Sequence, residues 1–419
     1  MFLSRLIERN PALLKTAVAW HQEHRIPTNT YLIDLDTIRD NARILAAAKR
    51  EHGLETYLMT KQHGRNPLVN LVALQEGLHA TVNVDIQCVR INARYGVPIG
   101  HVGHLNQIPR GDMDFVLGTD PEVWTVFSIE HAEFISAAAA RRGRVQDIML
   151  RVYRDGDVFF PGQEGGFPFD GLIAAARRIM ALPNVRIMGV VSFPCFRYNL
   201  TSSDLAEPSP NMATLVAAAA KLRAELGLEI TQINAPGNTS SQTFPILKAN
   251  GATHVEPGHG LLGTTPNHRF RDGLPERPAY CYVSEITHIY EGMGYAHGGG
   301  LFQDIYDKNF QYKALVGSDP EKALANQVTY KRVEQIIDYH APLLEGDRCR
   351  VGDTVLMGFR SQFQMTRSWV GVVTGLSKGK PELAGLFDHA AHMLDPQSLE
   401  ALPLAEARAM IQAVVAGYR

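Results

Sequence analysis

Between residues 55 and 256 the chain alternates strand-like runs with helical stretches, eight strands in all. That alternation demands a parallel sheet covered by helices, because each strand must return to the same end before the next begins. The strand-like runs fall near 55–61, 79–83, 99–104, 123–128, 146–153, 185–192, 229–235 and 252–256. Helical stretches read at 130–141, 170–182, 209–226 and 240–249, and the alanine runs at 137–140 and 217–220 suit close packing of helix on sheet. Eight strand–helix units over about 200 residues imply an α/β architecture, a (β/α)8 TIM-type barrel.

The pattern changes after about residue 265. Tyr280-Cys-Tyr-Val-Ser-Glu-Ile-Thr-His-Ile-Tyr, Thr354-Val-Leu-Met-Gly-Phe and Trp369-Val-Gly-Val-Val-Thr read as strands of a β-rich C-terminal domain, with helices near 319–327 and 402–415. Ahead of the barrel, residues 4–24 read as one amphipathic helix presenting Leu6, Ile7, Leu13, Leu14 and Val18, with Pro27 beyond its end. Tyr31-Leu-Ile-Asp-Leu reads as a strand that can join the sheet of the second domain, and Asp36 as the cap of a helix reaching about Lys49. The expected division is a helical extension over 1–27, a barrel over 28–265 and a β-rich domain over 266–419.

Composition removes several classes of function. Lys plus Arg number 41 against 43 Asp plus Glu, a formal charge of −2, which leaves no basic field for nucleic acid or an anionic membrane. The first ten residues carry charge too early for a signal peptide core, and no apolar run has the length of a membrane span. Cys88, Cys195, Cys281 and Cys349 are far apart with no CxxC spacing, so the expectation is no metal site and no disulfide framework. A soluble cytoplasmic enzyme fits this balance, and a globular protein without catalytic function fits it equally well.

In such a barrel the chemistry sits at the C-terminal ends of the strands. That rule selects Lys61, then His104, the neighbourhood of Arg151 and Tyr153, Phe193 with Cys195, the loop Gly237-Asn238-Thr239-Ser240, and Glu256. A strand-end lysine is usually a solvated cation. Here Tyr57 and Met59 flank Lys61 with interior-type side chains, and a desolvated amine is what a Schiff base with an aldehyde cofactor requires. The 237–240 loop precedes a helix, where free N–H groups and hydroxyls receive phosphate; its plain reading is a helix cap. Glu256-Pro-Gly-His-Gly offers a carboxylate for a pyridinium nitrogen, with the N–H groups of Gly258 and His259 available to the phosphate. Lysine, phosphate loop and carboxylate in this order point to pyridoxal 5'-phosphate. His297, before Gly298-Gly-Gly, reads as a loop histidine, and Arg360 as a guanidinium able to grip a substrate carboxylate or to serve a structural salt bridge.

These residues resemble the barrel-type pyridoxal phosphate enzymes, the alanine racemases and the ornithine or diaminopimelate decarboxylases, across about residues 28 to 375. The opening Tyr31-Leu-Ile-Asp-Leu-Asp-Thr-Ile-Arg-Asp-Asn and the turn from Gly258 to Gly263 resemble alanine racemases, and the extra N-terminal helix resembles the YhfX-type branch. The resemblance implies that Lys61 is the Schiff-base lysine and one catalytic base. It places Glu256 at the pyridine nitrogen as in the decarboxylases, Phe193 where a ring-stacking histidine lies, and Arg65 where racemases keep a phosphate-contacting tyrosine. Glu291-Gly-Met-Gly-Tyr-Ala resembles the racemase segment bearing a second catalytic residue, making Tyr295 that residue, reaching the partner of a homodimer with shared active sites. The chain departs from the pattern in three places: Gly162-Gln-Glu-Gly-Gly-Phe lacks the racemase arginine, the decarboxylases' Cys-Glu-Ser-Gly-Asp motif is absent, and the second half, including Arg360-Ser-Gln-Phe-Gln-Met-Thr-Arg, resembles neither enzyme closely. The resulting expectation is a racemase of a small amino acid, with a decarboxylase or lyase, or a non-catalytic cofactor carrier, as the alternatives.

Overall fold

A computed structural model of the chain describes residues 2–198, 206–302, 311–332 and 337–418. These fall into two compact units, one of Arg43–Thr60 with Glu76–Gly260, the other of Met1–Ala42, Lys61–Gln75 and Leu261–Arg419.

The first unit is the barrel. Its parallel strands run Glu55–Met59, Ala80–Asn83, Ile99–Val102, Val123–Val126, Gln146–Tyr153, Val185–Val191, Gln232–Asn234 and His254–Val255, and the last pairs with the first to close the ring. Several strands stop short of the residues selected from sequence: His104 and Glu256 stand just past the ladder, in the turns at its mouth. The helices Ile129–Arg141 and Pro210–Leu226 bury Ala138, Ala139, Ala218 and Ala219, as small residues on a helix facing a sheet should. Inside, Tyr57, Met59, Val82, Val123, Met149 and Val191 pack into one apolar cluster. Tyr57 and Met59 alternate with outward neighbours, the period-two pattern of a strand buried on both faces.

One irregularity matters for the interior. The register runs Thr81↔Ile99 and then Val82↔His101, so Gly100 is skipped. This bulge turns His101 onto the same inward side as Val82. A Cβ on Gly100 would lie 2.5 and 2.6 Å from ring carbons of Tyr57 and 2.9 Å from the Ala80 Cβ, so the position tolerates no side chain.

In the second unit, Tyr280–Tyr290, Met293–His297, His340–Leu343, Gln327–Tyr330, Tyr312–Gly317 and Thr354–Met357 pair in a closed antiparallel ring, which returns to Tyr280–Tyr290. The sheet continues from Tyr280–Tyr290 to Thr30–Asp34, which pairs in parallel with Trp369–Thr374, and then to Glu382–Phe387 and Met393–Leu394. The early strand does join this sheet, as its sequence position before the barrel suggests. The fold is thus a TIM-type barrel followed by a β-rich domain containing an antiparallel β-barrel.

Two local expectations are corrected. The single helix expected over 4–24 is two, Phe2–Arg9 and Pro11–Gln22, because Pro11 cannot donate a helical N–H and Asn10 adopts a non-helical φ of −149°. Leu3, Leu6, Leu13, Leu14 and Val18 nonetheless share one core with Leu32, Cys281 and Leu356. The next helix, Leu35–His52, is capped by Asp34, whose Oδ1 accepts the Thr37 N–H at 3.2 Å. Asp36 instead accepts from Ser377 Oγ and Tyr418 Oη, each at 2.6 Å.

Gly100→Ala should destabilise the barrel by about 1–3 kcal/mol, the usual cost of overpacking. A urea midpoint equal to that of the parent would contradict the close approach of Tyr57 to this backbone.

Candidate functional site

At the mouth of the barrel a polar network replaces the apolar layers. The carboxylate of Glu256 is fully buried. Its Oε1 accepts from Asn234 Nδ2 at 2.8 Å and lies 2.7 Å from His101 Nδ1. On the other side of the imidazole, His101 Nε2 lies 2.6 Å from Thr125 Oγ1. Third, fourth and seventh strands thus converge on one oxygen. Burial is the largest influence on this carboxyl and pushes its pKa up, but His104 and the hydrogen bonds from His101 and Asn234 outweigh it and leave it below the usual carboxylate range. Glu256 is therefore an anion inside the barrel.

Its second oxygen is different. Oε2 makes no hydrogen bond and stands 3.4 Å from His104 Nε2. A buried carboxylate oxygen without a donor costs about 1–3 kcal/mol, so it is a place for a proton donor or a cation. The His104 ring meets the His101 ring edge-on at 5.4 Å and the Phe193 ring edge-on at 5.5 Å, and Phe193 in turn meets Phe160 at 5.6 Å. His101, His104 and Glu256 together offer three ligand atoms within 4.8 Å of one another, so a small divalent ion and a protonated ring nitrogen would compete for Oε2.

The 237–240 loop is built from strained backbone. Gly237 has φ +133° and Asn238 φ +44°, conformations that favour glycine and asparagine. A Cβ on Gly237 would stand 2.7 Å from the Phe196 carbonyl, and one on Gly260 would strike the Thr239 carbonyl. The turns at 195–196, 236–240 and 260 therefore lie against one another. The Thr239 Oγ1 and Ser240 Oγ hydroxyls are buried there without a hydrogen-bond partner. His259 is buried in the same turn as Gly258 and Gly260. Two unmet hydroxyls at one end and an unmet carboxylate oxygen at the other fit a molecule with an anionic phosphate and a protonated ring, which is the chemistry of pyridoxal 5'-phosphate.

Lys61 comes two residues after the last residue of the first barrel strand, and within that strand the Met59 N–H donates to the Pro257 carbonyl at 2.9 Å. It opens a short 3-10 turn, Lys61–His63, and is half-buried. This turn belongs to the second compact unit, where Arg65, with φ +60°, donates through Nη2 to the His389 carbonyl at 2.9 Å. Tyr295 lies in the strand Met293–His297, its ring stacked on His288 at 4.6 Å, beside His340. His297 is the last residue of that strand rather than part of a loop, because it pairs with His340 across the sheet. Arg360 carries a guanidinium whose pKa burial lowers to about 9, with Tyr280 acting in the opposite sense.

His101, Asn234 and Thr125 are the participants that sequence reasoning passes over. His101 and Thr125 lie inside their strands rather than past the ends, and Asn234 is the last residue of Gln232–Asn234. The usable signal was a polar side chain at an inward position among apolar neighbours, as in Ile99-Gly-His-Val.

This chain belongs to the alanine racemase N-terminal domain family through residues 33–266. Residues 281–383 match the YhfX-like C-terminal domain. The chain is 38% identical over 395 residues, 94% of its own length and 100% of the other's, to the uncharacterized protein YhfX of Escherichia coli (strain K12). In fold it is similar to D-threonine aldolase from Filomicrobium marinum, with a TM-score of 0.65 at 14% identity over 87% of this chain and 95% of that one. It is also similar to D-threo-3-hydroxyaspartate dehydratase from Delftia sp. HT23, with a TM-score of 0.61 at 15% identity over 85% and 97%. Alanine racemase of Clostridium difficile 630 gives 0.59 at 16% identity over 87% and 99%. This fold family typically binds pyridoxal phosphate.

His63 beside Lys61 generates a pH prediction. It is fully buried, its pKa pushed down to about 4 by desolvation while the bond between Nε2 and Asn70 Oδ1, 2.6 Å, works against that. The folded protein leaves His63 neutral down to about pH 4, whereas the unfolded chain protonates it near pH 6.5. Its contribution is thus complete above about pH 6.5 and is lost as pH falls towards 4, at most about 3 kcal/mol. Urea denaturation at pH 7 and pH 4.5 should show His63→Gln losing less stability on acidification than the parent, and equal losses would refute the assignment.

Proposed function

We propose that this chain is a pyridoxal 5'-phosphate-dependent enzyme that moves the α-proton of a small amino acid, with racemisation as its reaction. The observation that carries this is the buried, anionic Glu256 with its Oε2 unsatisfied. The cofactor, when bound, supplies an electron sink for negative charge at the substrate's Cα, strongest while its ring nitrogen is protonated. Glu256 Oε2 holds that proton in place. His101 and Asn234 fix the carboxylate's orientation, so no reorganisation is needed as charge develops. The Thr239 and Ser240 hydroxyls with the 237–240 backbone hold the phosphate end. Phe193 contributes an apolar face, and the Phe160 ring packs beside it at 5.6 Å.

In this reading Lys61 Nζ anchors the aldehyde end and carries the proton on one face of the substrate, while Tyr295 Oη carries it on the other. Arg65 supplies positive charge for the phosphate, and His297 lies two residues from Tyr295 in the same strand. Tyr295 belongs to the unit that does not contain Glu256, and exposed Tyr290 and Tyr339 add aromatic surface to that unit. The arrangement we infer is a homodimer in which Tyr295 serves the partner's barrel. The setting is cytoplasmic. Among the described residues no helix is long and apolar enough to cross a membrane.

A panel of amino acids incubated in deuterium oxide and read by mass and chiral chromatography tests the reaction. Deuterium at Cα with loss of enantiomeric purity is expected. Carbon dioxide release would mean a decarboxylase, fragmentation or loss of water at Cβ a lyase, and cofactor binding without exchange a carrier. Lys61→Ala should lower exchange on the order of 10²–10⁴-fold. Glu256→Gln should lower kcat on the order of 10²-fold while leaving cofactor affinity within a few-fold, and an unchanged kcat would remove Glu256 from the mechanism.

The assembly has its own test. Lys61→Ala and Tyr295→Phe subunits are each inactive alone, and mixed dimers should recover activity at one of the two sites. Heterodimers that form and remain inactive rule out a shared site.

A further inference from the structure

Arg151 is not absorbed by this account. It sits near the C-terminal end of the fifth barrel strand, Gln146–Tyr153, and is 1% exposed. Along this strand Met149 points into the apolar barrel cluster, so Arg151, two residues on, faces inward as well. Its register neighbours agree: Thr125 pairs with Met149 and Val126 with Leu150, which brings Phe127 level with Arg151. The guanidinium carbon lies 4.6 Å from the Phe127 ring centroid and 5.7 Å from that of Phe159. Nη2 donates to the Gln163 carbonyl at 2.5 Å. Nε and Nη1 are buried and make no hydrogen bond, and among the described residues no carboxylate pairs with this guanidinium. Burial lowers its pKa to about 10, which leaves it charged at neutral pH.

A buried cation with no carboxylate in ion-pair contact is expensive, and two ring contacts, one carbonyl and the charge of Glu164 return only part of that cost. The loop after the strand is shaped around it. Gly166 has φ +122°, and a Cβ there would stand 2.5 Å from the Arg151 carbonyl and 3.0 Å from its Cγ. The same loop carries Phe160, which meets Phe193 above His104. The unmet donors therefore lie at the end of the barrel that holds the Glu256 network, beneath the 154–166 loop.

We propose that Arg151 is an anion receptor for a carboxylate of the substrate amino acid, which makes it a specificity-determining residue; this rests on the reading that the barrel mouth takes an amino acid. Phosphate is assigned elsewhere by the Thr239 and Ser240 hydroxyls, so the anion left for Arg151 is the carboxylate. Ligands lacking that group leave the guanidinium buried and unpaired, and a site of this kind rejects them strongly.

The test uses the purified full chain with Arg151→Met and Arg151→Lys, each checked for parental circular dichroism. Propionate should raise the melting temperature of the parent and not that of Arg151→Met, and Arg151→Met should melt higher than the parent in the absence of ligand because a buried charge is gone. By calorimetric titration the carboxylate affinity should fall about ten- to hundredfold in Arg151→Met, and less in Arg151→Lys, which keeps the charge but not the planar fork. Equal response of parent and Arg151→Met to propionate overturns the proposal. So does a more than tenfold loss of affinity for inorganic phosphate or pyridoxal phosphate in Arg151→Met, which would assign the guanidinium to the cofactor. Arg151-dependent propionate binding in a protein that takes no pyridoxal phosphate would sink the cofactor reading and leave this one standing.

Discussion

The hydrogen bond between His101 and Glu256 joins residues 155 apart in the chain, and much of the barrel mouth is arranged around it. Its imidazole is held from behind by Thr125, and its carboxylate from the side by Asn234. Removing a carboxylate from water costs several kcal/mol, and hydrogen bonds within a low-dielectric interior can return most of that only if the geometry is good. Here one oxygen is met by two donors and the other by none. The network is thus stable enough to keep the carboxylate ionised and incomplete enough to bind. A fully satisfied network would rigidify the barrel and do nothing else.

The layers beneath explain how a polar mouth coexists with a stable barrel. Tyr57 stacks on His254 at 5.6 Å and accepts from Gln232 at 3.0 Å, closing the interior beneath. Above them lies the apolar cluster around Met59, Val82 and Met149. Glycines make this packing feasible: Gly189 leaves room for Gln232 and Met149, as Gly100 does for Tyr57. At the mouth the unmet groups are of both signs, an oxygen of Glu256 and two nitrogens of Arg151. Opposite unmet charges suit ligands that carry both, such as amino acids and pyridoxal phosphate.

The β-rich unit is organised by a different device. Glu291 and Gly292, with φ +45° and +74°, form a two-residue turn between Tyr280–Tyr290 and Met293–His297. Such turns match the right-handed twist of paired strands. The resulting register sets Tyr295 opposite His288 and His297 opposite His340. Four titratable rings thereby gather on one sheet through backbone pairing alone. Burial and the neighbouring imidazoles lower the pKa of His340 below the ordinary histidine range.

The barrel was legible because its signals are local. Strand and helix periods, the glycine turns at 237 and 258, and a carboxylate just past the last strand all lie within short windows of sequence. The order of Lys61, the 237–240 loop and Glu256 carried the cofactor reading by itself. Pro11 was equally visible as a helix breaker, though the surrounding apolar pattern masked it. What only the tertiary structure decided were the partners brought from far away. His101 turns inward because a bulge skips Gly100, and no periodicity in Ile99-Gly-His-Val distinguishes that from an ordinary strand. Asn234 and Thr125 acquire meaning only when ring closure sets the seventh and fourth strands around the same carboxylate. Arg151 reads from sequence as a strand-end cation, and its unmet nitrogens emerge only once the 154–166 loop folds over it. Local period is written in neighbouring residues, whereas hydrogen-bond satisfaction depends on groups that closure of the barrel brings within 3 Å.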